Sequence, residues 1–311
     1  MTQLLCIDIG GTFIKSALID DNLVLSHQQK HKTPDQLNHF LLYLESLIKD
    51  YHHQIKGVAI SFPGQINVVS GYVYHGGLIS YLKNFPLGKY LEEKYHLPVS
   101  VLNDADAAGL AESQYGSLKS CHYGAVLVLG TGVGLALVSD QDLMTFKDFS
   151  TSDIWERGLR EFKGIESLSQ SLGLQINGIG NLIANTGSAV QFIKRASQIL
   201  DLKKEDGQEV FKQLKLGQKE NLQELFEKYC QDIAILILNL RNIFKLEMVA
   251  VGGGISQQPL LIEEITKQYL QLLGEQVSLP NQLSQLPIIA CSFRQQANLV
   301  GAYCQFKKIN D

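Results

Sequence analysis

The stretch Leu4-Leu5-Cys6-Ile7-Asp8-Ile9-Gly10-Gly11-Thr12-Phe13-Ile14-Lys15-Ser16-Ala17-Leu18-Ile19 decides how the chain folds. Leu4 to Ile9 is an apolar run, Gly10-Gly11 breaks it, and Ile14 to Ile19 resumes it before Asp20-Asp21-Asn22 turns the chain. This pattern predicts a β-hairpin with glycines at its tip. It returns further on, where Ala125 to Leu129 and Leu135 to Val138 flank Gly130-Thr131-Gly132-Val133-Gly134. A third cluster, Gly252-Gly253-Gly254, follows the apolar run Met248 to Val251.

Between these blocks the spacing switches to that of helices. Leu37, Leu41, Leu44 and Ile48 predict an amphipathic helix over Gln36 to Asp50. Leu87 to Tyr95, Ala105 to Tyr115, Leu222 to Leu246 and Gln296 to Lys307 read as further helices, and Val58 to Ile60 and Pro98 to Leu102 as strands. The expected class is α/β. A length of 311 residues suits two domains, expected as a smaller one over 1–104, completed by a returning helix at 297–311, and a larger one over 105–296.

The composition excludes several kinds of protein. With 45% hydrophobic and 19% charged residues the chain has material for a core. A net charge of −4 gives no footprint for gripping a phosphate backbone, so no nucleic-acid partner is expected. Cys6, Cys121, Cys230, Cys291 and Cys304 are scattered, without a C-x-x-C pair, and read as buried thiols of a reducing compartment. The N-terminus lacks a signal-peptide pattern. The apolar stretch Gly124 to Val138 contains four glycines and falls short of the roughly 20 residues of a membrane helix. A cytoplasmic protein with no membrane partner is expected. His52-His53 read as surface residues.

The glycine clusters carry the chemistry. Glycine lets backbone N–H groups approach a ligand closely, as a phosphate cradle requires. Taken singly, each could be a tight turn. Asp8 and Thr12 beside the first and Thr131 inside the second supply a carboxylate and hydroxyls, the company a Mg²⁺–polyphosphate needs. A P-loop, a G-x-G-x-x-G after a strand, a G-x-S-x-G and an H-E-x-x-H are all absent. Asn103-Asp104 precede an Ala-rich helix, so a helix cap and a functional role are both open for them.

Asp8-Ile9-Gly10-Gly11-Thr12, Phe62-Pro63-Gly64, Asn103-Asp104-Ala105, Gly130-Thr131-Gly132-Val133-Gly134 and Gly252-Gly253-Gly254-Ile255-Ser256 occur in the order seen in ROK-family sugar kinases. The chain resembles that family, the glucokinase branch of the actin-like ATPase superfamily, over nearly its whole length, down to Ala297-Asn298-Leu299-Val300-Gly301-Ala302. Gly76-Gly77-Leu78-Ile79-Ser80-Tyr81-Leu82 is similar to a Firmicute-type subgroup that includes β-glucoside kinases.

The resemblance implies two α/β domains of ribonuclease H-like fold flanking a ligand cleft, and an ATP- and Mg²⁺-dependent kinase acting on a small hexose, at the C6 hydroxyl. Asp8, Gly10, Gly11 and Thr12 would serve the β/γ-phosphates, with Asp8 reaching Mg²⁺ through water. Gly130, Thr131, Gly132 and Gly134 would hold phosphates from the other domain, and Gly252, Gly253 and Gly254 would face the adenosine. Asn103, Asp104, Gly64 and Gly77 would bind the sugar, Asp104 acting as general base. A homodimer is also implied, with the Leu222 to Leu246 helix either a dimer surface or buried inside its own domain.

One segment departs from the pattern. Many members of the family hold zinc with a histidine and three cysteines; those cysteines are missing, so no zinc site is expected. Counting 19 positions from Gly134 places Asp153 at the family's usual glutamate and Glu156 at its histidine, while Gly164-Ile165-Glu166 resembles the end of that motif. Asp153 and Glu166 are therefore implied sugar contacts, and Trp155 either stacks on a sugar or packs in the core. Phe13 replaces an often polar residue, and Leu135-Ala136 stand where Gly-Gly is common. Two other readings stand beside the kinase. A sugar-responsive repressor would need a DNA-binding module ahead of Asp8, and a sugar-binding member without catalysis would have no use for Asp8 and Asp104.

Overall fold

The computed structural model describes residues 3–144, 187–275 and 285–310. Its first strands, β1 (Gln3–Ile9) and β2 (Phe13–Asp20), form the expected hairpin, with Asp8 directly opposite Lys15. β3 (Leu25–Lys32) extends it at the edge. After α1 (Leu37–Tyr51), β4 (Ile55–Phe62) lies parallel to β1. A small antiparallel sheet, β5 (Gln65–Asn67), β6 (Tyr72–His75) and β7 (Lys83–Phe85), leads to α2 (Leu87–Tyr95) and β8 (Val99–Asn103), which is parallel to β4. The first sheet has the order β3-β2-β1-β4-β8.

α3 (Asp104–Gln114) begins directly after β8. The second sheet then repeats the plan of the first. β9 (Tyr123–Leu129) and β10 (Val133–Ser139) form the second hairpin, with β11 (Asp142–Leu143) at its edge. α4 (Ala189–Ile199), α5 (Gly207–Leu216) and α6 (Glu220–Ile243) lead to β12 (Met248–Gly253), parallel to β9. α7 (Pro259–Glu275) and β13 (Ile288–Ala290), parallel to β12, give the order β11-β10-β9-β12-β13. A 3₁₀ turn at Arg294–Gln296 opens into α8 (Ala297–Asn310).

Three cores hold these layers together. Phe40, Leu44 and Ile48 of α1 and Leu87 and Leu91 of α2 cover one face of the first sheet. Phe192, Phe211, Phe226, Tyr229, Ile233 and Ile265 of α4 to α7 cover one face of the second. The third core lies between the sheets: Cys6, Ala17, Ala59 and Leu102 from the first and Val126, Ala136, Val138 and Ala250 from the second close on Ala107, Ala111, Val300 and Tyr303 of α3 and α8. Two buried helices, α3 with mostly small side chains and α8 with glycine at its closest approach, therefore separate the sheets.

Several expectations are refined here. β3, with the sequence Leu-Ser-His-Gln-Gln-Lys-His-Lys, has no apolar alternation and was not predicted; ladder hydrogen bonds to β2 make it a strand, and its polar side chains suit an exposed edge. The apolar face of α6, including Leu222, Phe226, Ile233 and Leu240, is consumed by the second core, leaving Ile235 and Ile243 exposed. His52 is half-buried, with a ring nitrogen 3.0 Å from the Tyr95 carbonyl, and its ring meets that of His53 edge-on; both sit where α1 ends and not on an extended segment. Among the described residues no helix is long and apolar enough to cross a membrane.

The central layer depends on backbone contact. A Cβ on Gly301 of α8 would fall inside the Ala107 carbonyl of α3, and one on Gly109 would lie 2.6 Å from the Ala136 methyl. Relief requires the helices to separate. We expect Gly301→Ala to lose about 1–3 kcal/mol of stability, read as a lower urea midpoint; an unchanged midpoint would contradict the packing described.

Candidate functional site

The parallel strands β1, β4 and β8 run in one direction, so Asp8, Gly64 and Asn103 gather at their carboxyl ends, the edge where open α/β sheets bind ligands. Asp8 is 6% exposed near the end of β1. Its Oδ1 accepts from the Ser61 hydroxyl at 2.9 Å and from the Asn298 amide, also at 2.9 Å, and its Oδ2 faces the Lys15 ammonium at 3.4 Å. A buried carboxylate is thus held by three elements, β2, β4 and α8. Oδ1 is occupied, whereas among the described residues Oδ2 has only the long contact to Lys15 and keeps capacity for another partner.

The hairpin tip beyond Asp8 is braced from outside. Gly10 N–H donates to the Phe13 carbonyl at 3.0 Å, and Thr33 donates its hydroxyl to the Gly10 carbonyl at 2.6 Å and its N–H to the Thr12 carbonyl at 3.0 Å. Gly11 lies under Leu78, close enough that a Cβ there would sit 2.8 Å from that of Leu78. Phe13 is exposed, with the Lys30 ammonium 4.1 Å from its ring centre.

Asn103 is the N-cap of α3. Its Oδ1 accepts from Ala105 N–H at 2.9 Å and Asp106 N–H at 3.3 Å, worth about 1 kcal/mol to the helix. Its Nδ2 donates to the Gly64 carbonyl at 2.8 Å, tying the cap to the loop after β4. Gly64 has φ of +96°, and a Cβ there would overlap the His75 carbonyl and approach the Gly77 nitrogen; only glycine fits where these two loops touch. Gly64, Gly77, Asn103 and Asp104 are therefore brought together, and capping accounts for Asn103 whatever else it touches.

Asp104 opens α3. Its Oδ1 accepts from Ala105 N–H at 2.9 Å. The residue keeps some solvent contact, yet protein packed around its carboxyl pushes the pKa up, and the nearby charge of Asp8 adds to this, to about 6 from the ordinary 3.8. The neighbouring Ala105 methyl packs on Gly134 of the second hairpin, at 3.0 Å from a Cβ placed there. The start of α3 thus joins the Asp8 side to the second glycine loop.

In that loop Gly130 N–H donates to the Gly132 carbonyl at 2.9 Å, and α4 is anchored on it through Val190 N–H and the Ser188 hydroxyl, both donating to the Gly130 carbonyl. Among the described residues, Cβ positions at Gly130, Gly132 and Gly254 meet nothing within 4 Å, the clearance an incoming polyphosphate requires. Gly252 and Gly253 differ. A Cβ on Gly252 would sit a tight 3.1 Å from the Cys291 sulfur, and Gly253, at φ of +98°, folds against the Leu129 carbonyl, so packing crowds the first position and demands glycine at the second. The open cradle and the free capacity of Asp8 Oδ2 fit a hydrated Mg²⁺–nucleotide.

The order of these loops along the chain is matched by the model of the ROK family over residues 4–147 and 181–309. The chain belongs to the ROK family. Its fold is that of the actin-like ATPases. It is 25% identical to a β-glucoside kinase of Listeria monocytogenes, over 96% of this chain and 95% of that one. It is also 25% identical to an N-acetylmannosamine kinase of Escherichia coli, over 96% of each. Among solved structures it is similar to a ROK family protein of Streptococcus pneumoniae in complex with sucrose, with a TM-score of 0.76, 22% identity and 99% of each chain covered. A ROK family glucokinase of Streptomyces griseus in complex with glucose and AMPPNP gives a TM-score of 0.72 at 18% identity, covering 96% of this chain and 97% of that one.

Asp153, Glu156 and Glu166, together with Trp155, lie outside the described residues. Sequence reading missed Lys15, Thr33 and Ser61 and gave Asn298 no role. Asp8 facing Lys15 follows from hairpin register, but Ser61 and Asn298 reach Asp8 only through tertiary packing.

The raised pKa of Asp104 has a consequence for stability. A carboxyl whose folded pKa exceeds its unfolded one costs nothing where both states are protonated, below about 3.8; the cost grows up to about 6 and is full at pH 7. Asp104→Asn is therefore expected to stabilise the protein at pH 7 by on the order of 1–2 kcal/mol, with the gain shrinking as pH falls toward 4. Urea unfolding of both proteins across this range checks it, and a destabilised variant at pH 7 would contradict it.

Proposed function

We infer that this ROK-family protein is a sugar kinase, and we propose that it transfers the γ-phosphoryl group of ATP to a hydroxyl of a hexose or hexose derivative, C6 being the preferred position. The observation that carries the reading is Asp104. A carboxyl with a pKa near 6 stands at the carboxyl ends of the parallel strands, beside Asp8 and against the second glycine loop. Such a group is ionised at neutral pH and still basic enough to accept a proton, which suits a general base.

In this reading Asn103, Asp104, Gly64 and Gly77 form the sugar side, joined by Asp153 and Glu166. Gly10, Gly11, Thr12, Gly130, Thr131, Gly132 and Gly134 cradle the phosphates, while Gly252, Gly253 and Gly254 border the adenosine. Asp8 would hold Mg²⁺ through water, and the ion, when bound, neutralises charge on the phosphates. Asp104 accepts the proton of the attacking hydroxyl as the new O–P bond forms and the bond to the leaving ADP oxygen breaks. Backbone amides of the two loops stabilise charge on the transferring group. Narrowing of the cleft would exclude water and suppress idle hydrolysis. The repeated sheets support the division into 1–104 with 297–311 and 105–296. Five buried, unpaired cysteines support the cytoplasm as the working compartment. A homodimer completes the proposal.

Relatives named for β-glucoside and N-acetylmannosamine kinases set the sugar panel. ADP release should appear with one of glucose, mannose, N-acetylmannosamine, N-acetylglucosamine or cellobiose. Asp104→Asn should lose about 10²- to 10⁴-fold in kcat. In the wild type kcat/KM should fall with acid below an apparent pKa near 6, because the protonated base cannot accept the proton. Sugar binding without turnover would favour a non-catalytic sugar-binding protein.

A further inference from the structure

Glu112 is a buried carboxylate that the proposed chemistry does not use. It lies in the last turn of α3 with no solvent exposure. Its Oε2 accepts from Ser117 N–H at 2.8 Å and from the Ser117 hydroxyl at 2.6 Å. Its Oε1 accepts from Phe293 N–H at 2.8 Å, across 181 positions of chain. Phe293 belongs to the short segment that leaves β13 of the second sheet and enters α8 between the sheets. A buried charge met by neutral donors costs desolvation; here it ties α3 to that crossing segment.

The geometry of α3 and α8 indicates what this tie controls. The helices touch backbone to backbone where Gly301 meets Ala107. The helices also pack side by side through Ala108, Ala111, Val300 and Tyr303, and the point of closest approach is the fulcrum for any change in the angle between them. Asp104 lies three residues before Ala107, about 4.5 Å along the axis, and Glu112 five residues after it, about 7.5 Å on the other side. On α8, Asn298 lies three residues before Gly301 and holds Asp8. The Phe293 contact is thus a polar attachment beyond the packed core that limits such a change. A slip at Glu112 would swing Asp104 the opposite way by about 0.6 of that movement.

We propose that Glu112 is a positioning residue: its tether to Phe293 sets the angle between α3 and α8, and so holds Asp104 in place relative to Asp8. Its kinetic consequence rests on the kinase reading, whereas its mechanical core does not.

The test compares full-length wild type with Glu112→Gln, whose amide has one acceptor oxygen in place of two. Amide hydrogen exchange comes first. Faster exchange is expected at Ser117 and Phe293 and also at Ala105 and Asp106, about 9–10 Å from Glu112 toward the opposite end of α3. Exchange changes confined to residues 112–118 and 293 would overturn the proposal, whether or not the protein is a kinase. In the kinetic arm kcat should fall at least tenfold while nucleotide and sugar Kd values, from calorimetry, stay within about twofold. In an Asp104→Asn background Glu112→Gln should change kcat by less than twofold; independent, multiplying losses would overturn the proposal. If Glu112→Gln fails to fold, Ser117→Ala removes one of the bonds to Oε2 and should give the same exchange pattern at smaller amplitude; no change at Ala105 and Asp106 in that variant would overturn it. A wild type without turnover on any sugar would instead defeat the kinase reading, leaving the exchange result to decide the tether.

Discussion

The contact between Gly301 and the Ala107 carbonyl is the constraint on which the rest of the molecule depends. It lets two helices pass at backbone distance in the layer between the sheets. Any side chain larger than hydrogen at that point would push α3 and α8 apart, and with them the sheets, because α8 lies on the first sheet and α3 mainly on the second. The small residues of α3, Ala105, Ala107, Ala108, Gly109 and Ala111, follow from this demand. A helix buried on every side needs no amphipathic pattern, and this one has none.

The same crossing brings the chemistry together. Asp8 belongs to the first sheet, yet one of its hydrogen bonds comes from Asn298 of the helix that returns from the second. Asp104 ends the first sheet's succession of strands, yet its neighbour Ala105 rests on Gly134 of the second hairpin. Two carboxylates are thereby fixed near one another inside protein, and this raises the pKa of Asp104 toward neutrality. Stability is given up at that position for a group that can exchange protons at pH 7.

Much of this was legible in the sequence, for identifiable reasons. Hairpins with glycine tips, parallel strands flanked by turns and the 3.6-residue periodicity of α1 and α6 are local signals, and the two repeated sheets follow from them. The polar edge strand β3 was not legible, because ladder pairing and not its own side chains makes it a strand. The glycine clusters were only partly legible. Sequence treats Gly252, Gly253 and Gly254 alike, whereas the structure gives the first two close neighbours and the third none among the described residues. Ser61, Asn298 and Glu112 are silent in the sequence because their partners lie far away along the chain.

Phosphoryl transfer to the sugar is tested by mixing the protein with Mg²⁺, ATP and each candidate sugar and following the phosphorus spectrum. A sugar phosphomonoester is expected to grow at the rate ADP appears, its phosphorus coupled to the C6 protons, and to grow at least about 10²-fold more slowly with Asp104→Asn at matched nucleotide and sugar occupancy. Inorganic phosphate alone, or a sugar phosphate formed equally fast by the variant, would contradict it.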